Sequence, residues 1–467
     1  MKIVRIHDIK WFLKDEAFVD FVKEVSCEGA TKRGHFVFER AGKKVFIKFF
    51  KEKGFYGLVR NRVSPRGKKE FQLAGKMILL SIPTPEPLGY GISDTGSYVI
   101  QEWIDGNTFV NAYVADIEKN TLLLQLAAFL NELKLHRIRH NDLHLNNIIV
   151  HKDRLYLVDL HKMKIKSAFS LSDEISNLAH AITMVYQNLS EEEKRAFFQR
   201  YGENGIRKPL EAELKRLRRR WILKKMERAF DNTSTMAKDR NYVYIAGFEG
   251  YGKGTLCSVI KDDKKVKIER YSDHVRKIYR NKRRLNRAWK NHIALTYLNL
   301  GVVPRAFFVK RPSLTENGFI AMEDLASRGE ELDRYLDREY DRFSVHERRI
   351  FIDTFSAFFV HAIKQWIIHR DVKACNVFVF RDCGFILLDV EDIVFTEMDM
   401  ESLKRMLTQL NTTIPKRIST GDRIRFFLKL SVPLKMKNKT LFREIMAESL
   451  KSKIVYEGLS GLNVEQW

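Results

Sequence analysis

The residues best suited to chemistry fall in two runs. The first reads HNDLHLNN from His140 to Asn147, followed by the apolar strand LYLV that ends at Asp159. An Asp, an Asn five residues later and a second Asp at a strand end form a hard-oxygen donor set of the kind Mg²⁺ takes. Phosphoryl transfer asks for metal ligands, a group that orients or deprotonates the nucleophile, and a cation on the phosphates. In that assignment Asp142 accepts the proton of an attacking hydroxyl, and Asn147 and Asp159 hold Mg²⁺ beside ATP. The second run reads HRDVKACN from His369 to Asn376, then FILL and Asp389. There Asp371 is the candidate base, Lys373 a cation for the transferred phosphate, and Asn376 and Asp389 the metal ligands. An isolated aspartate at a strand end is ordinarily a turn or cap residue; repetition in one order argues otherwise. Asp142 and Asp371 lie 229 residues apart, Asp159 and Asp389 230 apart.

These loops need elements to position them, and the elements also repeat. In each copy strand-like runs come first: FVFER and KVFIKFF, then YVYIAGF, TLCSVI and KVKIERY. A helix follows (KKEFQLAGKMILL; RAWKNHIALTYLNL), then a strand into Glu102-Trp103 or Glu323-Asp324. The remainder is helical by its apolar spacing, as in TLLLQLAAFLNELKL and RRIFIDTFSAFFVHAIKQW. The fold expectation is α+β: two tandem bilobal domains, each with a strand-rich small lobe and a helical large lobe, at 1–232 and 238–467. Polar, turn-prone residues after Phe230 place the break between Asp231 and Lys238. The layout and the H-x-D-x-x-x-x-N loop resemble protein kinases. On that template Lys48 contacts the ATP phosphates, Glu70 is its helix partner, and Glu102, Trp103 and Glu323 lie where a hinge meets adenine. Gly29 to Gly34 would cover the phosphates.

The second copy departs in its small lobe. Matching GKKVFIK to DKKVKIE puts Glu269 in the place of Lys48, and Lys290 falls near the place of Glu70. Either Glu269 and Lys290 form a charge-swapped pair, or normal ATP handling is lost. Lys267 shares a strand face with Glu269 and would serve after a two-residue shift.

The 467 residues carry 83 Lys and Arg against 59 Asp and Glu, a formal charge of +24. That excess points to polyanionic partners: an acidic membrane face or a phosphorylated glycolipid. Arg276, Arg280, Arg284 and Arg287 recur at helical spacing and would form one cationic stripe. Nucleic acid ranks below these, because aromatic residues are not interleaved with the cations. Four cysteines without CxxC or His spacing argue against zinc or a disulfide framework and for buried thiols. No stretch is apolar enough for a signal peptide or a membrane span.

The segments KKEFQLAGKMILLSIPTPEPLGYG, HNDLHLNNIIV and VDLHKMK resemble the lipopolysaccharide core kinases, the bacterial heptose and 3-deoxy-manno-octulosonate kinases. The resemblance covers most of residues 25 to 185, with Glu70, Ile82 to Leu88, His144 and Asp159-Leu160-His161 at the family's positions. It implies ATP-dependent phosphorylation of an inner-core sugar by a cytoplasmic enzyme, peripheral on the inner membrane. His144 replaces the lysine of typical protein kinases and either hydrogen-bonds the transferred phosphate or packs in the loop. Three alternatives remain open. A protein kinase fits HRDVKACN, although neither metal Asp begins a DFG triplet. A small-molecule kinase of the aminoglycoside type would not need the charge. A pseudokinase scaffold would bind nucleotide and an acidic partner.

Overall fold

A computed structural model describes residues 1–467 apart from 28–33, 41, 116–118, 203–204, 234, 251 and 437–438. The chain divides into two compact units, Met1–Arg218 and Arg219–Trp467. The division falls within the helix Arg207–Glu227, ahead of the Asp231 to Lys238 segment.

The first unit opens with a six-stranded antiparallel sheet. Across it the strands run Lys2–Ile6, Ile9–Leu13, Pro87–Ser93, Gly96–Glu102, Lys43–Lys51 and His35–Arg40. Strand alternation sends Val45, Ile47 and Phe49 into a core with Trp11, Leu13 and Ile100. Lys48 stands between them on the other side of its strand, where the helix Arg66–Leu79 supplies Glu70. That helix can sit so close only because its second residue is glycine. A Cβ on Gly67 would lie 2.0 Å from the Tyr98 carbonyl oxygen.

The later part is helical. In Lys119–Leu135 the residues Leu122, Leu126, Leu130 and Leu133 recur at helical spacing and are buried in the larger core. Two short antiparallel strand pairs carry the HNDLHLNN run. Ile138–His140 pairs with Met163–Ile165, and Ile148–His151 pairs with Arg154–Leu157. They bring the stretch after His140 beside the stretch after Asp159.

The second unit has a seven-stranded antiparallel sheet. Its order is Met236–Asp239, Tyr242–Ile245, Ala306–Lys310, Gly318–Met322, Val275–Tyr279, Val266–Tyr271 and Leu256–Asp262. The helix Lys282–Leu298 follows the strand Val275–Tyr279. Helices again dominate the rest, led by Val345–Lys364, which Ser344 and Glu347 close with a reciprocal capping box. The strand pairs recur as Ile367–His369 with Ile393–Phe395, and Val377–Phe380 with Phe385–Leu387. Each unit therefore has the expected α+β plan, strands first and helices after.

The cysteine expectation needs correction. Cys257 is exposed and Cys375 and Cys383 are half-buried, all three as free thiols. Cys257 lies on Leu256–Asp262, an edge strand whose residues are all exposed. The side chain of Cys27 lies outside the described residues.

Candidate active sites

In the first unit, ladder pairing sets Lys48 opposite Val99, three residues before Glu102. The Lys48 ammonium is ion-paired with Asp159 and lies 3.4 Å from Glu70 Oε2. Glu70 is fully buried. His161 Nδ1 completes the group, 2.8 Å from Asp159 Oδ1 and 3.5 Å from Glu70 Oε2. Burial opposes the charge on Asp159, but His161 and Lys48 outweigh it and hold the carboxyl well below the usual range. Burial likewise lowers the His161 imidazole, and the facing carboxylates of Asp159 and Glu70 turn the net shift upward. Ligand atoms of Glu70, Asp159 and His161 all lie within 4.8 Å of one another, a spacing that could hold a metal ion.

The catalytic loop is fastened to this cluster by a buried histidine. His140 Nδ1 accepts the Asp142 N–H at 3.2 Å, so the ring proton sits on Nε2 and is donated to the Asp159 carbonyl at 3.2 Å. Burial pulls the His140 pKa down to about 4, which keeps the ring neutral. Asn177 holds the same strand by accepting the His140 N–H and donating to the Ile138 carbonyl. Asn147 donates its amide nitrogen to the Asp142 carbonyl at 2.9 Å, which leaves the side-chain oxygen as the atom for a cation. Asp159 itself has φ 64°, a left-handed conformation that is uncommon outside glycine and turns its carboxylate back at the clamp.

Sequence reasoning missed Lys162. It is ion-paired with the Asp142 carboxylate. Burial would raise the Asp142 pKa, but the Lys162 hydrogen bond and charge bring it below the usual value. The available signal was a lysine three residues after Asp159 in VDLHKMK. His144 Nε2 lies 3.8 Å from Asp142 Oδ1 and 3.4 Å from Asn147 Nδ2, at the edge of the same loop. At the hinge, two expected adenine donors are already engaged. Glu102 N–H bonds the Glu86 carbonyl at 2.9 Å and Trp103 N–H the Lys44 carbonyl at 3.2 Å. Residues 29 to 33 of the expected phosphate-covering loop lie outside the described residues.

The second unit repeats the loop geometry. His369 Nδ1 accepts the Asp371 N–H at 3.3 Å, and Nε2 bonds the Leu388 carbonyl at 2.9 Å. Asn376 donates to the Asp371 carbonyl at 2.8 Å, and Asp389 has φ 48°. Lys373 pairs with Asp371 at 3.1 Å, so here the loop itself supplies the cation that Lys162 supplies in the first unit.

The expected small-lobe pair is not what the second unit uses. Glu269 pairs with Lys267 at 2.7 Å on Val266–Tyr271, and Lys290 has no ion-pair partner among the described residues. The lysine placed like Lys48 is Lys277, one strand further on. Its ladder partner is Ile320, three residues before Glu323, the register of Lys48 with Val99 and Glu102. Lys277 lies 2.6 Å from Asp389 Oδ1 and 3.0 Å from Glu391 Oε1. Local similarity of the two KKV runs had matched the strands out of step. Glu323 turns its carboxylate to the Arg305 N–H at 2.8 Å and to Arg328 at 2.8 Å.

The arginine stripe also dissolves. Arg276 is on a strand and stacks over the Tyr271 ring, while the helix begins at Lys282. Arg280 pairs with Asp262 at 2.7 Å, Arg284 with Glu391 at 2.8 Å, and Arg287 with Asp392 at 3.4 Å. Among the described residues no helix is long and apolar enough to cross a membrane.

No curated protein matches the chain. Among solved structures, the bifunctional kinase-methyltransferase WbdD is similar at 16% identity and a TM-score of 0.28. That likeness spans 40% of this chain and 47% of WbdD, less than half its length. Residues 20–201 match the lipopolysaccharide kinase (Kdo/WaaP) family, which bears out the resemblance read from the sequence over the first unit and supports an ATP-dependent kinase.

Proposed function

We propose that the first unit phosphorylates a sugar hydroxyl of the lipopolysaccharide inner core, with ATP as donor. The observation that carries the reading is the convergence of Lys48, Glu70, Asp142, Asn147 and Asp159, within a segment matching that family. Asp142 takes the proton of the acceptor hydroxyl as its oxygen bonds the γ-phosphorus and the bond to the β-phosphate oxygen breaks, releasing ADP. Lys48, held by buried Glu70, neutralises charge on the donor phosphates. The Asn147 side-chain oxygen and the Asp159 carboxylate suit Mg²⁺, which when bound offsets the charge of the phosphates. The matching element order and register of the second unit support a tandem duplication.

The same reading places the protein on the cytoplasmic face of the inner membrane. The helix Gly54–Val63 supports it. Its buried side carries Asn61, which donates to the Ser93 and Gly96 carbonyls at 2.8 and 3.2 Å. Its apolar residues face outward: Phe55 is 76% exposed and Tyr56 89%. A helix fixed by a polar contact with aromatic rings outside, beside Lys53 and Arg62, suits an anionic lipid interface.

The test is transfer from labelled ATP to purified, dephosphorylated lipopolysaccharide core. Wild type labels the core sugar, and Asp142→Ala loses about 10²- to 10⁴-fold in rate. Asp371→Ala measures the share the second unit adds. A wild type that hydrolyses ATP yet never labels core sugar overturns the acceptor and leaves a protein or small-molecule hydroxyl as substrate.

A further inference from the structure

We propose that the second unit is a separate site for a magnesium-bound nucleoside triphosphate, built on a clamp in which acid and base have exchanged elements. In the first unit the helix gives an acid, Glu70, and the position two after the metal aspartate gives a base, His161. In the second unit the helix gives a base, Arg284, and the position two after Asp389 gives an acid, Glu391. The strand lysine is common to both. Glu391 is fully buried and holds Lys277 at 3.0 Å, while the Tyr279 hydroxyl donates to its other oxygen at 3.1 Å. Arg284 Nε donates to it at 2.8 Å. Lys277 and Arg284 thus face the carboxylates of Asp389 and Glu391, with Asp392 3.7 Å from Arg284 at the edge, so the strand lysine keeps both acidic and basic neighbours after the exchange.

Lys277, Tyr279 and Asp389 of this cluster line a cleft, with Glu391 buried behind them. Asp389, the carboxylate suited to a metal, keeps 34% of its side chain exposed, against none for Glu391. The cleft has a volume of about 350 Å³, within the range of small-molecule sites. Val275, Met322, Phe378 and Leu388 supply apolar walls for a flat base, and Lys277 and Asp389 mark its polar end. Removing several ions from water costs several kcal/mol each, a cost that an apolar floor of the same volume would avoid. The cluster is therefore better explained by a ligand than by stability. This inference concerns a different unit from the proposed sugar kinase, and its readout is binding, so either can fail without the other.

The experiment is calorimetric titration of the full chain with a non-hydrolysable ATP analogue and Mg²⁺. Wild type binds two equivalents. With the first site removed by Lys48→Met and Asp159→Asn together, one equivalent remains. In that background Lys277→Met, and separately Asp389→Asn at the more exposed position, weaken the remaining site at least tenfold with the thermal unfolding transition retained. Glu391→Gln weakens it also, whereas Lys290→Ala and Glu269→Gln change it less than twofold. No binding in the background chain, or binding indifferent to both Lys277→Met and Asp389→Asn, overturns the proposal.

Discussion

On the proposal that Asp142 is the general base, its neighbour Lys162 sets the pH range over which the first site works. A half-buried carboxylate is pushed toward its neutral form by loss of water, and Lys162 reverses that push. A general base must be ionised, so activity through Asp142 is present above its pKa and fades as pH falls through it. Lys162→Met removes the stabilising cation and lets burial prevail, raising that pKa. The acid limb of the pH profile of kcat/KM should therefore move to higher pH, while Lys162→Arg should keep it near the wild-type position. The loss in rate at neutral pH should be smaller than the 10²- to 10⁴-fold expected for removing the base. A limb that stays in place in Lys162→Met would show that Asp142 does not titrate in the rate. In the second unit Lys373, from within the loop, is the cation paired with Asp371.

The element that most constrains the first clamp is the helix Arg66–Leu79, and its two glycines should respond in opposite directions. At Gly67 a Cβ would meet the Tyr98 backbone at 2.0 to 2.9 Å, and backbone cannot swing aside. Gly67→Ala should push the helix off the sheet, destabilise the unit by about 1–3 kcal/mol and weaken ATP binding by drawing Glu70 from Lys48. At Gly75 nothing lies within 4 Å of an added Cβ, so Gly75→Ala should stabilise by up to about 1 kcal/mol through helix propensity and leave ATP affinity unchanged. Thermal unfolding and nucleotide titration of both variants check this; equal effects would mean the helix tolerates displacement. Helices and catalytic loops were legible in the sequence because their signals are local: apolar spacing for Lys119–Leu135, and chemically restricted residue types for His140 to Asn147. The clamp of the second unit was not, because its register is set between strands. DKKVKIE imitates GKKVFIK one strand too early, and the strand Leu256–Asp262 has no described counterpart in the first sheet to warn of the slip. A subtler sign was present. Phe50 and Tyr279 each stand two residues after the clamp lysine, with ring centroids 4.7 and 5.4 Å from its ammonium. The hairpin Lys2–Ile6 with Ile9–Leu13 escaped notice because charged residues interrupt it, yet Trp11 and Leu13 are fully buried.

At the scale of the whole molecule the excess of +24 and the exposed helix Gly54–Val63 make different demands on a membrane. A docking stripe of arginines would contribute about 1 kcal/mol per residue near an anionic surface, so losing two would weaken binding roughly 30-fold. Arg280 and Arg287 are instead spent on Asp262 and Asp392. Each is half-exposed, but its carboxylate partner offsets its charge, so each attracts an anionic surface less than an unpaired arginine would. The aromatic helix has the opposite character: Arg60 with Glu52 and Asn61 with two carbonyls hold it down, and two rings stand in water, each of which gains on entering an apolar interface by about 1 kcal/mol or more. Sedimentation with vesicles of mixed neutral and anionic lipid should therefore show Phe55→Ser with Tyr56→Ser weakening binding by roughly tenfold or more. Arg280→Ala with Arg287→Ala should change it less than threefold. Both proteins should bind less as salt rises, because the net charge acts over a Debye length of about 8 Å at physiological ionic strength. If the arginine pair matters and the aromatic pair does not, contact is electrostatic and the outward rings of Gly54–Val63 serve some other surface; if the aromatic pair matters, this helix enters the apolar part of the interface.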